Sequence, residues 1–347
     1  MSRNIQIREI TSLCALRRVE PEWNALWERC REATVFQSPD WLTPWVEAFA
    51  PSRLWVLELR ERGTLIGLAP LFIYGTGGDR IVAPLGAGIS DYLDVLVAPE
   101  FPEAVDALAE FLQEQAWTEL HFPDLRESSV LLRPEFLVRF NHGYFEWGRP
   151  KTREICPQLD LPTTADALRT VVPAKQLRNL RVARRSLDGA SVELATDATL
   201  DEFLTALFRL HEKRWQRSGQ SGVLADPRVR ELYRRAAPRL MKRGVLRLFG
   251  LRYGGELIAC LMAFSDRDAM RLYMQGYDPD WARSSPGAQL VGAALEQAIR
   301  QGKKAADFMR GREVYKYYWG CRDIPTFELQ IAAARYSGRP IPEKSAA

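Results

Sequence analysis

The sequence contains one eight-residue pattern twice, and this repeat constrains the fold more than any other feature. Residues 59–66 and 251–258 both follow the pattern L-R-x-x-G-x-L-I. In each copy, a short polar link that contains glycine joins two apolar runs. A link of this kind between apolar runs is typical of a β-hairpin. We therefore expect one hairpin in each half of the chain.

The segments around each hairpin also occur in the same order. Two helical segments precede the hairpin, and a strand, a helix and a short strand follow it. In the first half these segments are helices at 13–30 and 39–49, hairpin strands at 54–60 and 65–74, a strand at 92–97, a helix at 102–115 and a strand at 119–122. In the second half they are helices at 200–217 and 228–243, hairpin strands at 246–252 and 257–264, a strand at 270–277, a helix at 286–300 and a strand at 305–309.

Two α/β units of one plan are the simplest explanation of this order. A stretch that contains Pro150, Pro157 and Pro162 separates them, so the boundary is expected between residues 148 and 162. We predict a first domain at 1–150 and a second at 151–347. Each is expected to be of the α/β (α+β) class, with a mixed, largely antiparallel sheet flanked by helices.

Charge is distributed unevenly over the 347 residues. Residues 1–150 contain 14 basic residues, all arginine, and 22 acidic residues, whereas the remainder contains 34 basic and 22 acidic residues. The second half is therefore expected to attract a polyanion, such as a nucleotide, CoA, tRNA or an acidic polymer. The alternative is that the two halves attract each other.

Composition argues against several classes of protein. With 46% hydrophobic and 27% charged residues, the chain resembles ordinary globular proteins. No apolar run is long enough to span a membrane, the first residues do not resemble a secretory signal, and five scattered cysteines form no CxxC pair. These features predict a cytoplasmic protein. His211-Glu212 begins like the zinc-protease motif HExxH, but Trp215 replaces its second histidine and His121 and His142 lie far away, so no metal site is expected.

The start of the predicted helix at 286–300 is suited to an anion. Ser285 is a favourable N-cap and Pro286 a favourable first helical residue. Backbone N–H groups and the helix dipole attract anions at such a start. The equivalent segment of the first half, 98–103, has two carboxylates and no glycine, so it would repel a pyrophosphate. The pattern predicts that the second half binds the cofactor's phosphates, with the candidates Arg283, Ser284, Ser285, Gly287 and Ala288; the alternative is a plain helix cap.

Several further segments stand out as motifs. They are Ser-Pro-Gly at 285–287 with Gly302 after it, DFMRGREVYKYYWG at 307–320, HEKRW at 211–215 with Gly219 after it, FQSPDWL at 36–42 and SDYLD at 90–94. Together they resemble the motifs of the CelD-like acyltransferases, over nearly the whole chain. This family consists of dual-GNAT (N-acetyltransferase-like) proteins that are related to the FemAB peptidyltransferases and often linked with exopolysaccharide or cellulose synthesis. Single-domain acetyltransferases carry Q/R-x-x-G-x-G/A; here Arg283 and Ala288 fit, but Pro286 replaces the first glycine, a departure shared with the FemAB-like branch.

The resemblance implies two tandem GNAT-like folds and an enzyme, with the acyl-CoA site in the second half. It implies transfer of an acyl group, such as acetyl, from acyl-CoA to an amine or hydroxyl of a small-molecule, lipid or glycan precursor. The FemAB relation leaves aminoacyl-tRNA open as the donor, although no sustained heptad pattern indicates the helical arm that FemAB-type enzymes commonly carry. A third alternative is a non-catalytic partner in polysaccharide biosynthesis.

Candidates for the chemistry lie near the end of the second half. By the resemblance, Tyr315 can protonate the departing sulfur; the alternative is a core aromatic side chain. His211 is the only histidine after residue 150 and the natural base near neutral pH, unless it is structural. Asp307 and Glu313 could relay a proton or hold the amine, or they could pair with neighbouring basic residues. Lys316 is a further candidate for contact with the cofactor's phosphates.

An acceptor could bind in the first half. Asp91, Tyr92 and Asp94 follow a Gly-Ala-Gly segment, and two acidic side chains beside a tyrosine could bind an amine or a sugar. The alternative is a turn with capped backbone groups. Trp215, one turn after His211, is a further candidate for contact with the substrate.

One basic run has several alternative partners. Its residues are Lys175, Arg178, Arg181, Arg184 and Arg185. On a helix, these side chains could meet the 3′-phosphate of CoA, tRNA or an acidic polymer, or they could form a solvated face. No RNA-reading motif accompanies the run, and DNA is not an expected partner.

Overall fold

A computed structural model of the protein describes residues 4–140, 145–147, 150–217 and 219–333. His142 and residues 148 and 149 of the predicted boundary lie outside the described residues. The chain divides into two compact units, which are Met1–Arg153 with Pro325–Ala347, and Glu154–Ile324. Within the described ranges, no helix is both long enough and apolar enough to cross a membrane.

The first unit is built on a nine-stranded sheet. Its elements, numbered along the whole chain, are β1 (Ile5–Ile10), α1 (Leu13–Arg29), α2 (Pro39–Phe49), β2 (Arg53–Glu61), β3 (Thr64–Tyr74), β4 (Ile81–Pro84), β5 (Leu96–Val97), α3 (Ala104–Gln113), β6 (Glu119–Arg126), α4 (Pro134–Arg139), β7 (Phe145–Trp147), β8 (Lys151–Ile155) and, much later in the chain, β15 (Pro325–Ala333). The strand order is β1-β2-β3-β4-β6-β15-β7, with β5 beside β3 and β8 beside β15. β4 and β6 run parallel, whereas the pairs β1–β2, β2–β3, β3–β4, β3–β5, β6–β15 and β7–β15 are antiparallel. Its core includes Leu59, Leu71, Leu120 and Phe122, which are fully buried.

The second unit is built on a six-stranded sheet. Its elements are β9 (Gln158–Asp160), α5 (Ala174–Ser186), β10 (Ser191–Leu194), α6 (Leu200–Arg217), α7 (Pro227–Lys242), β11 (Leu246–Tyr253), β12 (Glu256–Asp266), β13 (Ala269–Tyr277), α8 (Pro286–Arg300), β14 (Ala305–Asp307) and α9 (Val314–Tyr317). The strand order is β10-β11-β12-β13-β14-β9, and only β13 and β14 run parallel. The apolar side of α8, with Leu290, Ala294 and Leu295, packs into its core. Two mixed sheets flanked by helices confirm the predicted fold class.

Both copies of the sequence repeat form hairpins with a two-residue turn. Glu61 pairs with Thr64 across one turn, and Tyr253 pairs with Glu256 across the other. The turn residues Arg62 and Gly63 have φ of 49° and 85°, and Gly254 and Gly255 have 58° and 85°. Positive φ at both central positions is the geometry that glycine favours in such turns.

The arginine of the repeat has the same structural role in both hairpins. Arg60 donates from Nη1 to the carbonyl of Gly63 at 2.7 Å, and Arg252 donates from Nη1 to the carbonyl of Gly255 at 3.0 Å. The register of the hairpin also shifts at the same place, next to this arginine, in both copies. The eight-residue pattern therefore describes a hairpin in which an arginine of the first strand hydrogen-bonds a carbonyl group of the turn.

Two expected strands are shorter than predicted, and one strand was missed. A strand at 92–97 was expected, but only Leu96–Val97 forms one, because Gly86 and Gly88 turn the chain at positive φ and the carboxylate of Asp94 accepts the Val95 N–H at 2.8 Å. The strand β4 before this segment was missed. The short strand at 305–309 ends at Asp307, because Met309 adopts a φ of 59°.

The last described strand departs from the predicted domain division. All residues after 150 were assigned to the second domain, but β15 pairs with β6 and β7 in the sheet of the first unit. Glu328 of β15 accepts from His121 of β6 and from Arg153, both at 2.6 Å. In the sheet of the second unit, the strand beside β14 is β9, which follows β8 in the chain.

Candidate active site

The parallel strands β13 and β14 separate beside the start of α8. They pair only where residues 269–271 meet residues 305–307. β14 ends there, whereas β13 continues to Tyr277. The edge of β13 from residue 272 onward is therefore not covered by β14. An uncovered strand edge presents backbone N–H and C=O groups to an extended ligand.

A cavity of about 360 Å³ lies at this place in the second unit. The start of α8 lines it with Ser285, Gly287 and Ala288, and β13 lines it with Gln275 and Tyr277. Side chains of α5, α6 and the segment around α9 complete its wall; they include Asn179, Leu180, Arg214, Tyr315, Tyr318 and Trp319. A volume of this size is within the usual range for a small-ligand site, roughly 300–1,000 Å³.

The start of α8 offers two backbone N–H groups to this cavity. Ser285 has a φ of 45°, and its own N–H donates to Ala282. Its hydroxyl makes no capping hydrogen bond, contrary to the expectation of a side-chain cap. Within the described residues, the N–H groups of Gly287 and Ala288 have no hydrogen-bond partner. Such groups at the start of a 15-residue helix can bind an anion.

Gly287 packs closely against β13 as well as leaving the first turn open. A Cβ atom at this position would collide with the side-chain amide of Gln275 on β13. The expectation that glycine merely keeps the first turn open therefore omitted the contact with β13. Of the other predicted phosphate ligands, Arg283 is exposed and Ser284 accepts from Gln289 through its carbonyl at 3.0 Å. Neither of these two lines the cavity.

Tyr315 lies in the cavity in its neutral form. Burial of the phenol, with the charge of Glu313 added, raises its pKa to about 12. The residue as a whole remains 39% exposed, so a ligand in the cavity can reach it. A protonated hydroxyl in this place can donate a proton or a hydrogen bond at neutral pH.

The side chains of Lys316 and Asp307 bind other groups of the protein. The buried Lys316 donates to the carbonyls of Met309, Arg310 and Gly311 at 3.0, 2.7 and 3.1 Å and pairs with Glu313 at 2.9 Å. Its ammonium is therefore occupied, which argues against the predicted contact with phosphate. Asp307 is 2% exposed and accepts from Arg271 and from the Met309 N–H at 2.8 and 2.9 Å. Both side chains position the segment that follows β14.

His211 lies on the opposite face of β13 from Gln275. Neighbouring strand residues point to opposite faces, and a Cβ atom on Gly276 would collide with the backbone of Leu210 and His211. The ring of His211 packs against Trp215 and Gly222. Its Nδ1 atom is buried without a hydrogen-bond partner. Burial, with the charges of Arg214 and Arg230 added, lowers the pKa of His211 to about 4, so the ring is neutral at pH 7.

We expect His211 to make the protein sensitive to acid. Because the folded pKa lies below the unfolded value near 6.5, stability is complete above that pH and is lost as the pH falls toward 4. Compared with His211→Leu, the wild type should lose about 2–3 kcal/mol more of its unfolding free energy between pH 7.5 and 4.5. Denaturant titrations of both proteins at the two pH values measure this difference. Equal losses would contradict the buried neutral state.

The predicted acceptor residues lie together in the first unit. Asp91 and Tyr92 are buried, and Arg126 lies 5.6 Å from the centre of the Tyr92 ring. Asp94 is half-buried, and its Oδ1 accepts from the Ser129 hydroxyl at 2.9 Å. Burial raises the pKa of Asp94 to about 7, against the hydrogen bonds from Ser129 and the Val95 N–H and the charges of Arg126 and Arg133. Of the three, Tyr92 and Asp94 line a separate pocket of that unit.

The basic run lies on α5, one face of which lines the cavity. Lys175, Arg178, Arg181 and Arg185 are exposed and make no ion pair in the described part of the chain. Arg184 pairs with Glu296 of α8 at 2.8 Å. The helix thus carries four unpaired positive charges close to the start of α8.

Sequence reasoning missed several residues of the cavity. Arg214 has no carboxylate partner among the described residues, and its guanidinium lies 5.5 Å from the centre of the Tyr277 ring. Gln275, Asn179 and Leu180 were also missed. Only the HEKRW segment, which contains Arg214, carried a sequence signal. The others contact the cavity through the packing of α5 and β13, which no local pattern indicates.

The elements that line the cavity coincide with a known domain. Residues 174–317 match the family model of the Acetyltransferase (GNAT) domain. The match begins at the first residue of α5 and ends at the last residue of α9. Residues 174–317 of the second unit are therefore similar to a GNAT acetyltransferase domain, which supports a transferase. The sequence matches no curated protein.

Solved structures share the fold over most of this chain. FemX is 11% identical, with a TM-score of 0.68 over 95% of this chain and 98% of its own. The C-terminal domain of a proposed lysylphosphatidylglycerol synthetase from Agrobacterium fabrum is 11% identical, with a TM-score of 0.56 over 91% and 92%. L-PGS from Bacillus licheniformis is 12% identical, with a TM-score of 0.55 over 89% and 90%. These likenesses show the fold; it agrees with a relation to the FemAB proteins, whereas the CelD-like assignment stays a prediction.

Proposed function

We propose that the protein is an acyltransferase that binds acyl-CoA in the cavity of its second unit. The observation that carries this proposal is the pair of N–H groups without a partner in the described residues at Gly287 and Ala288, two residues that line the same cavity as Tyr315. The acyl group, acetyl in the simplest case, moves to an amine or hydroxyl of a small-molecule, lipid or glycan precursor. The five cysteines, all within the described residues, form no disulfide there, which fits the cytoplasmic protein that we also propose.

Each part of the cavity has a role in this reaction. The two N–H groups at the start of α8 bind the pyrophosphate. The uncovered edge of β13 hydrogen-bonds the amide groups of the extended arm of CoA. The acceptor attacks the thioester carbonyl and forms the new bond to the acyl carbon, the carbon–sulfur bond breaks, and the leaving thiolate takes the proton of Tyr315. The proton that the acceptor loses passes to solvent, and the Tyr315 phenolate regains a proton from solvent. Asp307 and Lys316 hold the segment that leads to Tyr315.

His211 takes no proton in this proposal. A base with a pKa of about 4 is too weak to accept a proton efficiently from an amine or a hydroxyl at neutral pH. We propose instead that His211 and Trp215 shape the face of β13 opposite Gln275.

A second candidate donor is an aminoacyl-tRNA. The four unpaired basic residues of α5, which lie near the start of α8, favour it. One protein of the shared fold is named for lysylphosphatidylglycerol, a lipid that carries an amino acid, which supports a lipid as the acceptor class.

The donor site is tested with a charge at Ala288, whose side chain lines the cavity. We expect acetyl-CoA to bind with a micromolar Kd, about −8 kcal/mol. Ala288→Glu should weaken binding at least about tenfold, because a carboxylate beside the N–H groups repels the pyrophosphate. Ala288→Gln has the same shape without the charge and should stay within about threefold of the wild type. Calorimetric titration of the three proteins measures this.

Further titrations separate the donors. Free CoA and a longer acyl-CoA should bind at the same place, and aminoacyl-tRNA should bind more weakly. If the folded protein binds no CoA species but binds aminoacyl-tRNA, the second candidate replaces the first. If the Glu and Gln variants bind acetyl-CoA equally well, the start of α8 does not bind its pyrophosphate.

A further inference from the structure

The first unit has a pocket of its own, formed by elements that correspond to those of the second unit. Its volume is about 790 Å³. It is lined by the end of α1, the segment that leads into α3 and the end of β6. In the second unit, the elements at the same places in the repeat are α6, the segment that leads into α8 and β14. All lining residues lie between Glu28 and Arg133, within the first unit.

This pocket has a different chemistry from the cavity at α8. The N-cap residue of α3 is Glu103, which makes no side-chain capping hydrogen bond, and Glu100 lies in the segment before it. Glu100 pairs with Arg29 at 3.0 Å. Carboxylates at the start of the helix remove the attraction for a pyrophosphate there. Anion binding in the first unit must therefore come from side chains.

Two arginines of the pocket have no ion pair. Arg126 donates to the Glu32 carbonyl at 2.9 Å and lies 3.6 Å from its carboxylate. Arg31 and Arg133, in contrast, pair with no carboxylate in the described part of the chain, and both are exposed. An arginine fork is well suited to bind a carboxylate or a phosphate.

A carboxyl group of the same pocket has one oxygen without a partner. Oδ1 of Asp94 accepts from the Val95 N–H at 2.8 Å and from the Ser129 hydroxyl at 2.9 Å. Oδ2 accepts no hydrogen bond from any described residue. A buried carboxyl group gains most from a cationic donor such as an ammonium.

We propose that the pocket of the first unit binds a small molecule that carries both an anionic group and an amine. Arg31 and Arg133 hold the phosphate or carboxylate, and Asp94 accepts a hydrogen bond from the amine. This inference concerns a site distinct from the acyl-CoA cavity and does not rest on the proposed transfer. The raised pKa of Asp94 fits it, because an ammonium would stabilise a carboxylate that burial disfavours.

The test uses the full chain and four probes, which are glucosamine 6-phosphate, glucose 6-phosphate, glucosamine and a free amino acid. Calorimetry should show that glucosamine 6-phosphate binds more tightly than glucose 6-phosphate or glucosamine. Arg133→Gln combined with Arg31→Gln should weaken its binding at least about tenfold. The amino acid distinguishes a carboxylate from a phosphate as the anionic group. Arg53→Gln, at an exposed arginine on β2, is the matched control and should leave binding unchanged.

Asp94→Asn tests whether Asp94 binds the amine of the ligand. Its side-chain oxygen can still accept from Val95 and Ser129, so the local structure is retained. The amide should weaken glucosamine 6-phosphate about fivefold or more and leave glucose 6-phosphate unchanged. Ala288→Glu should change neither, which separates this pocket from the α8 cavity. Absence of binding by all four probes, or binding that Ala288→Glu abolishes, would overturn the inference.

Discussion

Replacing Tyr315 with phenylalanine should lower kcat by about 100- to 10,000-fold, the usual contribution of a positioned general acid. The phenol lies in the same cavity as the start of α8, and its pKa of about 12 keeps it protonated over the whole working range of pH. Without it, the leaving thiolate must take its proton from water. The Kd for acetyl-CoA should stay within about threefold of the wild type, because phenylalanine fills the same space.

Tyr318 provides the matched control for this experiment. It lines the same cavity, three residues later, and is 56% exposed. Tyr318→Phe should keep kcat within about threefold of the wild type. A large loss of kcat in Tyr318→Phe, with no loss in Tyr315→Phe, would indicate that Tyr318 is the general acid. An unchanged kcat in both variants would remove proton donation by either phenol from the mechanism.

The local parts of the fold could be predicted from the sequence. Each hairpin is encoded within eight residues, because glycine at positive φ and the arginine that closes the turn are both inside the repeat. Helices such as α8 carry their own apolar side. The strand β15 could not be placed in this way, because its partners β6 and β7 lie about half the chain away or more. The residue pattern of β15 does not indicate with which strands it pairs. The position of β9 beside β14 was missed for the same reason.

The site was predictable where one segment forms it. The start of α8 and Tyr315 both lie within motifs of the sequence, and both line the cavity. The contact of Gln275 with Gly287 joins two elements, and no spacing in the sequence predicts it. Charge alone also misled the interpretation of Lys316, whose ammonium turns inward to three carbonyl groups. Whether a lysine faces a ligand or the backbone depends on the local turn.

The second large effect is expected at Arg271, in a buried group of three charges. Its guanidinium donates to Asp266 at 2.7 Å and to Asp307 at 2.8 Å, and all three residues are at most 4% exposed. Arg271→Met leaves both carboxylates without this cation, which should lower the unfolding free energy by about 3–5 kcal/mol. Because Asp307 ends β14 beside the cavity, binding of acetyl-CoA should weaken as well. Hydrogen exchange of the amides of β12 and β13 measures the loss in the second unit directly.

Lys304 gives the comparison that separates burial from charge. It pairs with Asp268 at 2.7 Å, the same distance as Arg271 and Asp266, but the side chains of Lys304 and Asp268 are both about 70% exposed or more. Lys304→Met should therefore change the unfolding free energy by about 1 kcal/mol or less. Adding Asp266→Asn to Arg271→Met should restore part of the stability, since one buried negative charge is then removed. If the two single variants lose equal stability, or the double variant recovers none, the buried charges are not what holds β13 and β14 together at the edge of the cavity.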